Sequence, residues 1–148
     1  MKLRTIILFL LLALNSTLSF ATPTDEAKKF FAKYVDLEAA YDPAAAGLYS
    51  DKAIISMTRI YPDGRERKIQ FPAPQYKALI TQLMPLAKTR GDANKYSEVN
   101  YTVVGEKVRI EAVRYSILKD YKSPYVLVVG LDETGQLPIL EEHSVTQP

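Results

Sequence analysis

Near the C-terminus, Glu141, Glu142 and His143 stand side by side in ILEEHSVTQP, and His143 is the one histidine of the chain. Carboxylates and an imidazole are the groups of acid–base chemistry and of metal ligation. In an extended strand, however, alternate side chains point to opposite faces. Glu141 and His143 then share one face and Glu142 takes the other. A metal site needs three or four ligands, and the chain has no other histidine and no cysteine, so no metal is expected. Ser56, Ser97, Ser116 and Ser144 offer hydroxyls for nucleophilic chemistry. A single histidine and the absence of a nucleophile elbow speak against a triad. No phosphate-cradling glycine loop is present, and no cofactor is expected.

The direction of these side chains depends on the elements that carry them. TPTDEAKKFFAKYVDLEAAYD opens with capping residues and acids in its first turn. Ala27, Phe30, Phe31, Tyr34, Leu37 or Glu38, and Tyr41 then recur at intervals of three and four, which predicts an amphipathic helix. Asp42 and Pro43 start a short second helix that breaks near Gly47. KAIISMTRIY and RERKIQF flank Pro62-Asp63-Gly64, a turn in which proline presets φ and glycine accepts a positive φ, so the two runs form a hairpin. APQYKALITQLMPLAKTRG gives a third helix with Tyr76, Leu79, Ile80, Leu83 and Met84 as its apolar stripe, and Pro85 predicts a kink or break. Two further hairpins follow, turning at Gly105-Glu106 and across Asp132 to Gly135. The basic RERK run, with Arg59, reads as a charged edge strand that resists aggregation.

Period-two geometry assigns faces to the hairpins. Around Gly105-Glu106, Val103 is expected opposite Val108, Tyr101 opposite Ile110, Val99 opposite Ala112 and Ser97 opposite Arg114. Arg114 therefore ends an otherwise apolar row, as a pocket cation or a snorkelling edge residue. In the last hairpin one face holds Tyr125, Leu127, Val129, Leu140 and Glu142. The other holds Val126, Val128, Leu137, Ile139, Glu141 and His143. Both are apolar through the middle, and three helices cover only one, so the second is expected to meet a second subunit.

Composition narrows the function classes. MKLRTIILFLLLALNSTLSFA has the basic start, apolar centre and small-residue end of a signal peptide, with cleavage after Ala21. Its apolar run falls short of the ~20 residues of a membrane span. Residues 22–148 then form one domain, expected in the periplasm or secreted, with no stable membrane anchor after cleavage. The chain holds 19 basic and 17 acidic residues, and the leader takes two of the basic ones and none of the acidic, so the mature domain is neutral. That gives no electrostatic footprint for nucleic acid. Without cysteine, the domain must hold itself together by packing.

Three stretches, AKYVDLEAAYDPAAAGLYSDKAIIS, LDETGQL and PILEEHSV, resemble in joint order and spacing the NTF2-like superfamily, which includes SnoaL-like and ketosteroid isomerase-like domains. The resemblance covers essentially all of residues 22–148. It implies an α+β, cystatin-like cone: a strongly bent antiparallel sheet packed on a long N-terminal helix, in the order ααββαββββ. It also implies an apolar pocket at the open end and a homodimer on the convex face through Val126, Val128, Leu137, Ile139 and His143. The isomerase branch supplies three positions to check. Its oxyanion-binding tyrosine matches Tyr34, its general base falls at Met57, and its second oxyanion donor falls near Leu127. Methionine cannot abstract a proton, so steroid-isomerase chemistry is not expected. The same alignment puts Tyr125, Leu127, Val129, Leu140 and Glu142 in the pocket and sends Glu141 and His143 to the convex side.

The expectation is therefore an exported NTF2-like domain that binds a small apolar or amphipathic molecule. The residues expected around it are Tyr34, Met57, Tyr101, Arg114, Tyr125, Leu127, Val129, Leu140 and Glu142. Two other readings stay open. One is a cofactor-independent isomerase, dehydratase or cyclase in which Glu142 or Arg114 works with Tyr34. The other is a protein-binding immunity or inhibitor module.

Overall fold

The computed structural model describes residues 21–148; the signal-peptide reading lies, but for Ala21, outside the described residues. Helix α1 (Pro23–Ala39) starts at a capping box, with Thr22 accepting from the Asp25 amide and the Asp25 carboxylate accepting from the Thr22 amide. Its buried stripe runs through Ala27, Phe31 and Tyr34, and the same spacing carries on to Glu38. A 3₁₀ turn, Pro43–Leu48, follows with Asp42 as its N-cap. Then come β1 (Tyr49–Ile60), β2 (Glu66–Pro72), helix α2 (Ala73–Arg90), β3 (Asn94–Val104), β4 (Lys107–Ser116), β5 (Tyr121–Gly130) and β6 (Ile139–Thr146). Among the described residues, no helix is long and apolar enough to cross a membrane.

The six strands form one curved sheet in the order β2-β1-β6-β5-β4-β3. All neighbours are antiparallel except β1 and β6, which run parallel. That seam lets the last strand lie between the first strand and the β3–β5 meander. The helices cover one face, and the core between them includes Phe31, Ile55, Ile110, Leu127, Val129 and Ile139. The basic β2 stands at the sheet edge, as its composition suggests.

Two bulges change the faces that strict alternation predicts. In β3 the pairing shifts between Ser97 and Asn100, and Glu98 takes a left-handed φ of 53°. An extra residue there bends the strand. Val103–Val108 and Tyr101–Ile110 pair as expected. Beyond the bulge, Tyr96 and not Ser97 lies opposite Arg114, which turns the Tyr96 ring toward the core.

The second bulge is at Leu140. Val129 pairs with Ile139 and Val128 with Glu141, so Leu140 is the extra residue. Ile139 is therefore completely buried, and the expectation that placed it on the convex face is corrected. Leu140 turns outward, where its Cδ1 lies 2.9 Å from the position a Cβ would take on Gly130. Leu137 packs against the core and Val128 is 7 % exposed within the single chain. Of the five residues assigned to an apolar convex patch, Val126, Val128 and His143 keep that face, beside Arg109, Glu111 and Glu141.

Helix α2 runs unbroken through Pro85 to Arg90 and stops at Gly91, whose φ of 64° suits glycine. Of the kink or break expected at Pro85, the break does not occur. Only part of the predicted stripe is used: Tyr76 and Ile80 pack on the core, while Leu79 and Leu83 stay exposed.

Candidate functional site

The concave interior is built from tyrosines around two carboxyls and one guanidinium. Tyr34 comes from the buried stripe of α1 and Tyr125 from the inward row of β5, and their hydroxyls are 2.7 Å apart. The rings stack at 6.3 Å between centroids. Glu142, on the inward row of β6, is 3 % exposed. Tyr49 donates its hydroxyl to one carboxyl oxygen of Glu142, and Tyr76 donates to the other at 2.9 Å. Glu38, one helical turn beyond Tyr34, accepts from Tyr96 at 2.7 Å and from the Asn94 amide at 2.9 Å. The guanidinium of Arg114 sits 5.6 Å from the Tyr125 ring centroid.

Burial sets the electrostatics. It pushes the carboxyl of Glu142 above its ordinary range, against the hydrogen bonds from Tyr49 and Tyr76 that pull it down. Glu38 is raised for the same first reason, opposed by Tyr96 and Asn94. Burial also drives the phenols of Tyr34, Tyr49, Tyr76, Tyr96 and Tyr125 well above their usual value, so all five remain neutral donors. For Arg114, burial acts to lower the pKa, but the surrounding tyrosines and Glu142 outweigh it and the cation is kept.

Arg114 is the group left with unused capacity. Its Nη2 donates to the Val145 carbonyl at 2.6 Å, while its buried Nε–H has no partner. Among the described residues it forms no salt bridge. Ser123, directly opposite on β5, has a buried hydroxyl that is also unpartnered. Buried polar groups are normally satisfied, so these two atoms at paired positions stand out. Beside Arg114 opens a cavity of about 360 Å³ lined also by Met57, Arg59, Asn94, Ser116 and Tyr121 among others.

The structure thus brings Tyr34, Arg114, Tyr125 and Glu142 together and sets Met57 in the cavity beside Arg114. Leu127 and Val129 are fully buried core residues. Tyr101 packs edge-on against Phe31 beneath Lys28 and joins no hydroxyl network among the described residues. Leu140 faces away. The sequence reading missed Glu38, Tyr49, Tyr76 and Tyr96. Glu38 was visible in the 27-31-34-38 spacing, where it stood as an alternative to Leu37. Tyr96 was hidden by the β3 bulge. Among the described residues no group of three His, Asp or Glu side chains is placed to hold a metal.

Solved structures share this architecture. An NTF2-like protein of unknown function from Shewanella oneidensis aligns over 84 % of this chain and 100 % of its own, with a TM-score of 0.59 at 17 % identity. The fold is NTF2-like. A candidate ketosteroid isomerase from Parabacteroides distasonis matches with TM-score 0.56 at 20 % identity, over 90 % of this chain and 95 % of that one. An NTF2-like protein with a cystatin-like fold from Novosphingobium aromaticivorans matches with TM-score 0.53 at 16 % identity, over 82 % and 80 %. At such identities the likeness carries the NTF2-like fold and not an activity. No protein-family model and no curated protein matches the sequence.

Proposed function

We propose that this NTF2-like domain is a binding protein for a small amphipathic carboxylate, held at the Arg114 end of the concave face. One observation carries the reading: the Nε–H of Arg114 and the hydroxyl of Ser123 are buried, adjacent in register and unpartnered. A carboxylate oxygen accepts from both, and a guanidinium gives it a charge-assisted bond. Met57 and the Tyr121 ring offer the apolar body of the ligand a wall. The leader composition extends the proposal to an exported protein.

Acid–base catalysis in the interior is not favoured. A general base must reach a substrate proton. Both oxygens of Glu142 are occupied by phenols, and the isomerase base position holds Met57.

A thermal-shift panel tests the proposal with octanoate and benzoate against octanol and benzyl alcohol. The acids are expected to raise the melting temperature and the alcohols are not. Equal shifts for acid and alcohol, or none, contradict a carboxylate site.

A further inference from the structure

The convex face carries a second cluster that the binding proposal leaves unused. The parallel register of β1 and β6 sets Ser56 beside His143. Ser56 Oγ lies 2.5 Å from His143 Nδ1, and the other ring nitrogen, Nε2, lies 3.1 Å from Glu141 Oε2. A neutral ring protonated at Nε2 satisfies both contacts: Nε2–H donates to Glu141, and Nδ1 accepts from the serine hydroxyl. A hydroxyl, a base and a group that orients the base are the parts of an activated nucleophile. The ring is used in the opposite sense from the serine-protease triad, which is defined by geometry and roles and not by sequence order.

A cavity of about 390 Å³ opens at this serine. Gln70 and Lys68 on β2 pair with Ser56 and Thr58, so their side chains share the same face and line the same cavity. Both are donors for a carbonyl oxygen. Pro124 and Val126 supply an apolar wall. The volume lies within the ~300–1,000 Å³ range of small-molecule sites. The imidazole side chain is 40 % exposed and that of Glu141 30 %, so the cluster is reachable from solvent.

We propose that Ser56, His143 and Glu141 form an acyl-transfer site for small carboxylic esters, independent of the concave site. Ser56 Oγ attacks the ester carbonyl carbon while its proton passes to His143 Nδ1. The tetrahedral oxyanion is met by Gln70 and Lys68. Collapse breaks the bond to the leaving oxygen, which takes the proton from His143 and departs as the alcohol, leaving an acyl-Ser56. Water then attacks that ester, again giving its proton to His143, and the carboxylic acid leaves as Ser56 regains a proton. Ser56 and His143 are the catalytic residues, and Glu141 is a positioning residue.

The test uses the mature chain with p-nitrophenyl acetate, followed by peptide mapping, and a fluorophosphonate probe on the unaltered protein. The expected result is an acetyl group and the phosphonate on Ser56. His143→Gln is expected to slow p-nitrophenolate release about a hundredfold, the lower range of general-base contributions. Glu141→Gln should give a smaller loss that Glu141→Asp partly restores. Acetyl groups found on lysines only, absence of phosphonate on Ser56, or a folded Ser56→Ala protein that releases p-nitrophenolate at the original rate would each overturn the proposal. Because the probe reads the unaltered chain, a variant that fails to fold does not block the decision.

Discussion

Tyr76 on α2 donates its hydroxyl to Glu142 on β6 at 2.9 Å, and Tyr49 on β1 occupies the other oxygen of the same carboxyl. One buried carboxyl thereby ties a helix to two neighbouring strands. It also stands as a base that is already engaged, which turns attention from Glu142 to Arg114.

Glu142 makes stability depend on pH in a defined sense. Its folded pKa is raised above 4.5, so the folded state holds that proton more tightly than the unfolded state. Stability from this group is full below the unfolded value and is lost as pH rises above 4.5 through the folded value. Glu38 acts in the same direction. Glu142→Gln is expected to cost about 1 kcal/mol at low pH through a weakened hydrogen bond. That deficit should shrink or reverse toward neutral pH. Urea unfolding at a series of pH values checks it, and parallel curves for the two proteins would contradict the assignment.

The Tyr34–Tyr125 pair is suited to a double-mutant cycle. Each single change to phenylalanine leaves one buried hydroxyl without its partner and is expected to cost about 1–3 kcal/mol. The double variant removes both hydroxyls, so its cost should fall short of the sum by about 0.5–1.5 kcal/mol. Chemical denaturation reads the four proteins. Strict additivity would mean that the 2.7 Å contact contributes nothing to stability.

The bulge at Leu140 predicts an inversion of mutational cost. Ile139, with no exposed surface, is expected to lose about 2–5 kcal/mol on change to alanine, the range for emptied core sites. Leu140→Ala should cost well under that, because Leu140 lies outside the core. Unfolding midpoints that rank the two the other way would restore the alternating register and remove the bulge.

Local signals made most of the architecture legible. Thr22 with Asp25, Asp42 with Pro43, Pro62-Asp63-Gly64 and Gly105-Glu106 each act within a few residues, and each marks an element boundary in the fold. The two bulges do not. A bulge is a relation between two strands distant in sequence, and nothing within Tyr96–Val99 or Ile139–Glu141 announces an extra residue. Every misplaced side chain in the sheet, Ser97 for Tyr96 and Leu140 for Ile139, follows from those two slips. Glu142 keeps the face that alternation predicts, because it pairs with Leu127 on the unshifted side of the β6 bulge, and Arg114 keeps its face because the β3 bulge adds its residue to the partner strand. Ser56 and His143 belong to opposite ends of the chain, and only the parallel β1–β6 seam brings them together. Pro85 predicts a kink or break because proline removes one intrahelical donor, yet α2 continues past it.

The central claim is a carboxylate held by Arg114 and Ser123. Calorimetric titration of octanoate into the unaltered protein and into Arg114→Gln tests it most directly. A charge-assisted hydrogen bond contributes about 1.5–3 kcal/mol, which corresponds to about a tenfold to hundredfold weakening in the variant. Ser123→Ala is expected to weaken binding less, by about tenfold or under. Octanoate that binds both variants as tightly as the unaltered chain, or binds none of the three, would contradict the account.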